Sequence, residues 1–183
     1  MSAISIVEVE SNSEGIAIVE VRQGPVGPAG PAGPPTGDLP RGQISIQGNT
    51  TTTDIVTQDA FVQAGIVGTL DTLTDIDFTA LGSGKFGMTY TGATTKTFWI
   101  TGSFDATAGN NIILAIRIAK NGTSIPATEC RAFTGSGGDE AKLVTTWMLE
   151  LSTGNEVSLL IANTSSTADA TIRRGRLVIN CIP

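Results

Sequence analysis

Few residues of this 183-residue chain have the chemistry of a catalytic or metal-binding site. Histidine is absent, which excludes Ser-His-Asp and Cys-His nucleophiles and HExxH zinc sites. The two cysteines, Cys130 and Cys181, lie far apart in the sequence and form no CxxC pair, so they make a poor metal site. Their apolar surroundings favour buried free thiols, with a disulfide as the alternative.

Three acidic residues lie close enough in sequence to bind Ca²⁺, an ion that takes oxygen ligands: Asp71, Asp75 and Asp77. Their spacing differs from that of an EF-hand loop, so a solvated acidic loop or strand edge is favoured and no metal is expected. We therefore expect no enzymatic activity and no cofactor. The alternative is a polysaccharide depolymerase, which would need two carboxylates about 5–10 Å apart, but the chain is short and lacks the periodic repeats of such enzymes.

Two further groups have side chains suited to binding. The arginines at positions 173, 174 and 176 could hold an acidic glycan or an acidic protein patch. Because alternation along a strand would separate Arg173 from Arg174, a solvated strand edge or salt bridges between subunits are favoured for Arg173, Arg174 and Arg176. Four aromatic side chains could stack on sugars, but in a chain with 5% aromatic residues they are expected in the core: Phe98, Trp99, Phe104 and Trp147.

The composition indicates the elements that position these residues. Lys and Arg number 11 against 17 Asp and Glu, a formal net charge of -6, which is unlike a nucleic-acid-binding protein. No apolar run approaches the about 18 residues of a membrane span. The N-terminus lacks the basic and apolar regions of a secretory signal, so synthesis in the cytosol is expected. With 22 Gly, 26 Thr and 15% charged residues, the composition is typical of an all-β protein with many turns.

Residues 1–23 contain a near-repeat, since the β-branched run at 4–9 reappears at 16–21. The turn-forming residues 11–15 lie between the two runs, a pattern that predicts a β-hairpin. An isolated hairpin is marginal in water, so we expect this one to dock on a partner surface as an anchor, a frayed terminus being the alternative. The apolar residues assigned to anchoring are Ile4, Ile6, Val7, Val9, Ile16, Ile18, Val19 and Val21.

Residues 24–41 begin with four consecutive Gly-X-Y triplets that all have proline at X. Only glycine fits at the axis where three polyproline-II chains wind together, so this pattern predicts a short collagen-like triple helix in a homotrimer. A stiff monomeric linker is the alternative. Four triplets are too few to trimerise unaided, so an adjacent module must hold the three chains together. The predicted stalk residues are Gly24, Pro25, Gly27, Pro28, Gly30, Pro31, Gly33, Pro34 and Pro35.

Residues 42–183 are numerous enough for a full hydrophobic core and show no convincing helix. Eight to ten short strands separated by polar turns predict a β-sandwich or barrel. The Asn121-Gly122 pair is the clearest hairpin signal in the chain. The predicted strands are 43–47, 60–64, 76–79, 86–90, 97–104, 112–120, 130–133, 143–151, 156–163 and 171–182.

Four stretches of this third segment resemble strands of the C1q/TNF-like trimeric domain: 98–104, 116–122, 149–159 and 175–179. The second ends in the Lys-Asn-Gly typical of that family, and the third resembles its Leu-x-Leu-x-x-Gly-Asp-x-Val unit, with Asn155 in place of the Asp. The resemblance covers roughly residues 86–183. It implies an all-β, ten-strand jelly-roll sandwich that forms homotrimers through an apolar face, and it implies no activity.

A collagen-like stalk joined to a trimeric β-head also resembles fibres, spikes and decoration proteins of tailed bacteriophages. This resemblance implies a non-enzymatic capsid decoration, cement or head-fibre protein on the virion surface, made in the bacterial host cytoplasm. Residues 1–23 would then anchor it to the major capsid protein by extending a sheet edge. A short tail fibre held by a tail protein and a bacterial surface collagen-like protein are the alternatives, but one short stalk suits a shell better than a fibre that needs reach. A host-surface glycan is a further candidate partner; nucleic acid and membrane are not expected as partners.

Overall fold

The computed structural model describes residues 11–12, 15–16, 39–66, 69–70, 76–82, 84–137 and 139–183. Within these residues the fold is all-β, as predicted, and the one helical element is a 3-10 turn at Pro126–Thr128. No helix in the described ranges is long and apolar enough to cross a membrane. The chain divides into two units, Met1–Thr36 and Gly37–Pro183.

In the first unit the structure describes a short antiparallel pair, β1 (Ser11–Asn12) and β2 (Gly15–Ile16). Ser11 lies opposite Ile16, so the chain reverses direction inside the predicted turn cluster. Apart from Ile16, the residues assigned to anchoring lie outside the described residues, as does the whole Gly-X-Y stretch. The anchor and the stalk therefore remain predictions.

The second unit is a sandwich of two antiparallel sheets. We call them the front sheet, in the order β13-β9-β15-β3-β6 with β4 beside β15, and the back sheet, in the order β11-β10-β14-β8-β7 with β12 beside β10 and β5 beside β14. The strands are β3 (Arg41–Gln47), β4 (Thr52–Thr53), β5 (Val62–Gln63), β6 (Thr69–Leu70), β7 (Phe78–Ala80), β8 (Gly87–Tyr90), β9 (Lys96–Thr107), β10 (Ile113–Lys120), β11 (Thr123–Ser124), β12 (Cys130–Phe133), β13 (Ala141–Leu151), β14 (Glu156–Asn163) and β15 (Ala170–Cys181).

The core lies between the two sheets because every second residue of the long strands points inward. Phe98, Ile100 and Phe104 of β9 are fully buried, and they face the equally buried Val157 and Leu159 of β14. An aromatic cluster fills one end of the core, with ring centroids 5.0–5.5 Å apart in edge or tilted contacts; its members are Phe78, Tyr90 and Phe98. This alternation fixes which side chains are left on the outer faces.

Glycine lets the two sheets approach closely at one point of the core. A Cβ added to Gly102 of β9 would lie 2.4 Å from Cδ2 of Leu159 in β14, a fully buried residue of the opposite sheet. The hydrogen at this position therefore sets the local spacing between the sheets. Glycine is required at position 102 because any larger residue would overlap the side chain of Leu159.

The predicted Asn121-Gly122 hairpin is confirmed between β10 and β11. Asn121 and Gly122 have φ values of 52° and 77°, and two successive positive φ values match the type I′ turn that this dipeptide favours. The Asn121 side chain also accepts a hydrogen bond from the backbone N–H of Glu156, with an N···O distance of 2.8 Å. The turn is thereby tied to the start of β14.

Candidate functional site

The outer face of the front sheet carries the side chains that the core leaves out, and we call it the sheet face. Strand register aligns its outward residues in rows that run from β13 through β9 and β15 to β3. The four central rows are Met148-Trp99-Asn180-Arg41, Thr146-Thr101-Val178-Gln43, Val144-Ser103-Arg176-Ser45 and Lys142-Asp105-Arg174-Gln47. Most of the charge thus lies at one end of the face, and the large apolar groups Trp99 and Met148 lie at the other, with Arg41 at the β3 end of their row.

The apolar patch of this face comprises Trp99, Val144 and Met148, and Trp147 is exposed beside it at the free side of β13. Trp99 and Met148 are direct cross-strand partners and are 45% and 54% exposed. A surface cavity of about 290 Å³ lies beside them, lined by Trp99, Thr146, Trp147 and Met148. Exposed aromatic and thioether side chains, without charges between them, have the composition of the central part of a protein interface.

The prediction that four aromatic residues lie in the core is confirmed for Phe98 and Phe104 and is wrong for Trp99 and Trp147. Trp99 follows the inward-facing Phe98 in β9, so alternation places it outside. Trp147 lies opposite the buried Ile100, but β13 is the terminal strand of the front sheet and leaves its side chain 37% exposed. The composition of the chain does not indicate that either tryptophan is exposed. The alternation of inward and outward residues along a strand does indicate it for Trp99, which directly follows the buried Phe98.

At the charged end of the face, one carboxylate is shared by two cations. Oδ2 of Asp105 lies 3.7 Å from Nζ of Lys142 and 3.6 Å from Nη1 of Arg174. In the next row Arg176 donates a hydrogen bond from Nη2 to Oε1 of Gln43 at 2.5 Å. A cleft of about 160 Å³ lies among these groups, lined by Ser45, Ile46, Gln47, Ser103, Asp105, Arg174, Gly175 and Arg176.

The structure brings two of the three predicted basic residues together. A β-bulge in β15 shifts the register between Ile172 and Arg174, so Arg173 has no partner in β9 and lies outside the cleft. Arg174 and Arg176 then share the sheet face. The expectation that these arginines lie at a strand edge is wrong, because β15 lies between β9 and β3 in the middle of the front sheet. The salt bridge between Arg174 and Asp105 joins two residues of the same chain.

A second charged cluster, which the sequence analysis missed, lies on the back sheet. Glu129 accepts hydrogen bonds from Arg117 and Arg131, and the Arg117 guanidinium stacks 4.0 Å from the ring centroid of Phe61. The hydrogen bond from Arg131 is the largest cause of the lowered pKa of the Glu129 carboxyl, and Arg117 adds to it, while partial burial opposes the shift. The cluster holds the 3-10 turn region against β10 and β12.

The remaining candidates do not form a reactive site in the described residues. Cys130 and Cys181 are free thiols rather than a disulfide, as predicted, but they are half-buried rather than buried. Asp71 and Asp75 lie outside the described residues, whereas Asp77 is exposed with a φ of 62°. Among the described residues no group of three or more acidic or cysteine side chains is arranged to hold a metal ion.

Comparison with known proteins identifies the fold. No protein-family model and no curated protein matches the sequence. The chain is similar to the crystal structure of murine APRIL at pH 5.0, with a TM-score of 0.50 and 9% identity over 78% of this chain and 99% of that chain. It is also similar to Eiger TNF from S. frugiperda, with a TM-score of 0.47 and 11% identity over 79% and 93% of the two chains. A third likeness is to PRD1 vertex protein P5, with a TM-score of 0.44 and 9% identity over 79% and 98%.

Together, the two-sheet topology and the match to murine APRIL define an all-β protein with a TNF-like jelly-roll fold. This agrees with the fold that the sequence resemblance implied. At this level of identity the likeness describes the fold alone.

Proposed function

We propose that this protein is a non-enzymatic, homotrimeric structural protein of a bacteriophage virion surface. In this proposal it decorates the capsid as a cement or head-fibre protein. The observation that carries the proposal is the combination of four Gly-X-Y triplets with a jelly roll that leaves an apolar, uncharged patch on one sheet. The triplets call for three parallel chains, and the patch offers the surface through which a globular head could hold them in register.

The sheet face suits a second copy of this chain as its occupant. The part of the face formed by β13 and β9 carries threonine, valine, tryptophan and methionine, and its charged groups lie mainly in the rows of Arg174 and Arg176. The centres of protein interfaces are depleted of charged residues and enriched in aromatic residues and methionine, whereas solvent-exposed surface carries more charged side chains. Tryptophans at such positions contribute about 2 kcal/mol or more each to association.

The proposed division of labour follows from the order of segments along the chain. The head trimerises, which lets the short stalk wind, and three copies of residues 1–23 bind the shell with the avidity of a linked assembly. The β-branched runs of that segment can extend an exposed sheet edge of the major capsid protein through main-chain hydrogen bonds. The free head surface then remains available for a host-surface glycan.

The oligomeric state tests the first half of this proposal. Sedimentation velocity of the full chain should give three times the 18.8 kDa chain mass. Met148→Glu puts a charge into the apolar patch and should shift the equilibrium toward monomers on dilution. Val56→Glu is the matched control, because Val56 is 76% exposed outside the sheet face and its replacement should leave the mass unchanged.

Binding to particles tests the second half. The full chain should cosediment with purified capsids lacking it, whereas a chain without residues 1–23 should stay trimeric and remain in the supernatant. Binding to tails but not to capsids would move the protein to a tail fibre. A monomeric full chain would refute the trimer, and equal effects of Met148→Glu and Val56→Glu would refute the assignment of the sheet face.

A further inference from the structure

The cleft at the charged end of the sheet face has the donor groups of an anion site. In the row that crosses β9, β15 and β3, Arg176 stands between Ser103 on one neighbouring strand and Ser45 on the other. All three line the cleft of about 160 Å³. One guanidinium between two hydroxyl groups presents several N–H and O–H donors toward the same small volume.

Among the residues that the structure describes, the charges around the cleft are not balanced. Asp105 is the one carboxylate of this group, and its Oδ2 is already shared by Lys142 and Arg174. Within the described part of the chain Arg176 takes part in no salt bridge, and its hydrogen-bond partner Gln43 is neutral. Counting the described residues alone, two positive charges remain uncompensated at this end of the face.

This imbalance becomes costly when the face is covered. Burying a guanidinium without a counter-charge is strongly unfavourable, and three copies meeting at one axis would bring like charges together. A tetrahedral oxyanion can accept hydrogen bonds from guanidinium and hydroxyl groups at once, with the geometry that arginine recognises best. Its negative charge would neutralise the arginines at the subunit contact.

We propose that the Arg176 cleft binds a small tetrahedral oxyanion, phosphate or sulfate, which becomes part of the interface between copies of this chain. This inference rests on the proposed trimer that covers the sheet face. Arg176, Ser45 and Ser103 form the site, and Arg174 adds charge from the adjacent row. The anion would act as a structural ligand that makes trimer stability depend on its concentration.

The test is thermal unfolding of the full chain in sodium phosphate, sodium sulfate, sodium glucuronate and sodium chloride at equal ionic strength. A ligand that binds the folded trimer raises its melting temperature in a saturable way, by roughly 5–10 °C at about 100 times its dissociation constant. We expect that rise for phosphate or sulfate and not for chloride. The glucuronate arm distinguishes a tetrahedral ion from the carboxylate of an acidic sugar.

Variants locate the effect on the molecule. Arg176→Gln should abolish the phosphate-dependent rise, and Ser103→Ala should weaken it if Arg176→Gln does not fold. Arg173→Gln is the matched control, since it removes the same charge from an exposed position of the same strand outside the cleft. It should keep the full rise.

Three results would overturn the inference: no saturable rise in phosphate or sulfate, a rise produced by glucuronate alone, or an equal rise in Arg176→Gln and Arg173→Gln. Sedimentation of the same samples separates this failure from failure of the proposed function. A trimer without an anion effect refutes only the anion site, whereas a monomer refutes the trimer.

Discussion

Replacing Gly102 with alanine should destabilise the jelly roll, because the added methyl group has no space between the two sheets. The new Cβ would lie 2.4, 2.8 and 3.0 Å from Cδ2, Cδ1 and Cγ of Leu159. Leu159 is fully buried in β14 and cannot rotate into solvent. Strain of this kind typically costs about 1–3 kcal/mol.

The assay is thermal and denaturant unfolding of the full chain and of Gly102→Ala. At about 2–4 °C per kcal/mol for a chain of this size, the melting temperature should fall by roughly 2–12 °C. Gly82→Ala is the control, because an added Cβ there meets nothing within 4 Å and Gly82 has no positive φ.

A double variant gives the result that decides the reasoning. Leu159→Ala alone removes a buried leucine, a change that costs about 2–5 kcal/mol. In Gly102→Ala/Leu159→Ala the new methyl group occupies part of the space that the leucine side chain leaves. The double variant should therefore lose less free energy of unfolding than the two single variants lose in sum. Additive losses, or a Gly102→Ala protein as stable as Gly82→Ala, would show that the sheets are not in contact at this point.

Three further predictions concern other parts of the chain. Hydrogen bonds from Arg131 and Arg117 lower the pKa of Glu129, so the ionised carboxylate should stabilise the folded protein at pH values above its ordinary pKa of 4.5. This stabilisation should disappear as the pH falls through the lowered pKa. The melting temperatures of the wild type and of Glu129→Gln should therefore converge in acid. Burial raises the pKa of Tyr90, the single tyrosine, so ultraviolet titration should show its tyrosinate forming at a higher pH in the folded protein than in the unfolded chain. Tyr90→Phe should lose about 1 kcal/mol with the hydrogen bond that Tyr90 donates to the Thr94 carbonyl. Gly30→Val should remove the collagen-like circular dichroism signal but leave trimeric heads; monomers would mean that the stalk holds the trimer together.

Local sequence signals were sufficient for most strands of the second unit. The segment 156–163 was predicted with the bounds that β14 has, and the Asn121-Gly122 turn has the backbone conformation its residue types favour. These signals work because alternation and turn chemistry act over a few residues. The two-residue strands β4 and β6 escaped prediction, since pairing with distant partners rather than an intrinsic pattern defines them.

The candidate site was less predictable for the same physical reason. Whether Trp147 is core or surface depends on β13 being the terminal strand, which no local pattern encodes. The grouping of Arg174 with Arg176 depends on a bulge at Arg173 and on the register with β9. Long-range pairing also creates the Arg117–Glu129 contact, and a charged residue gives no hint of its partner in the sequence.

The central claim is that three copies of this chain form one particle-bound unit on a phage shell. A cryo-electron microscopy map of the virion that carries the chain tests this most directly. We expect threefold-symmetric knobs on the capsid surface, each with three jelly rolls whose sheet faces lie toward one another, above a short stalk. Knobs confined to the tail, or single jelly rolls whose sheet face is open to solvent, would contradict the account.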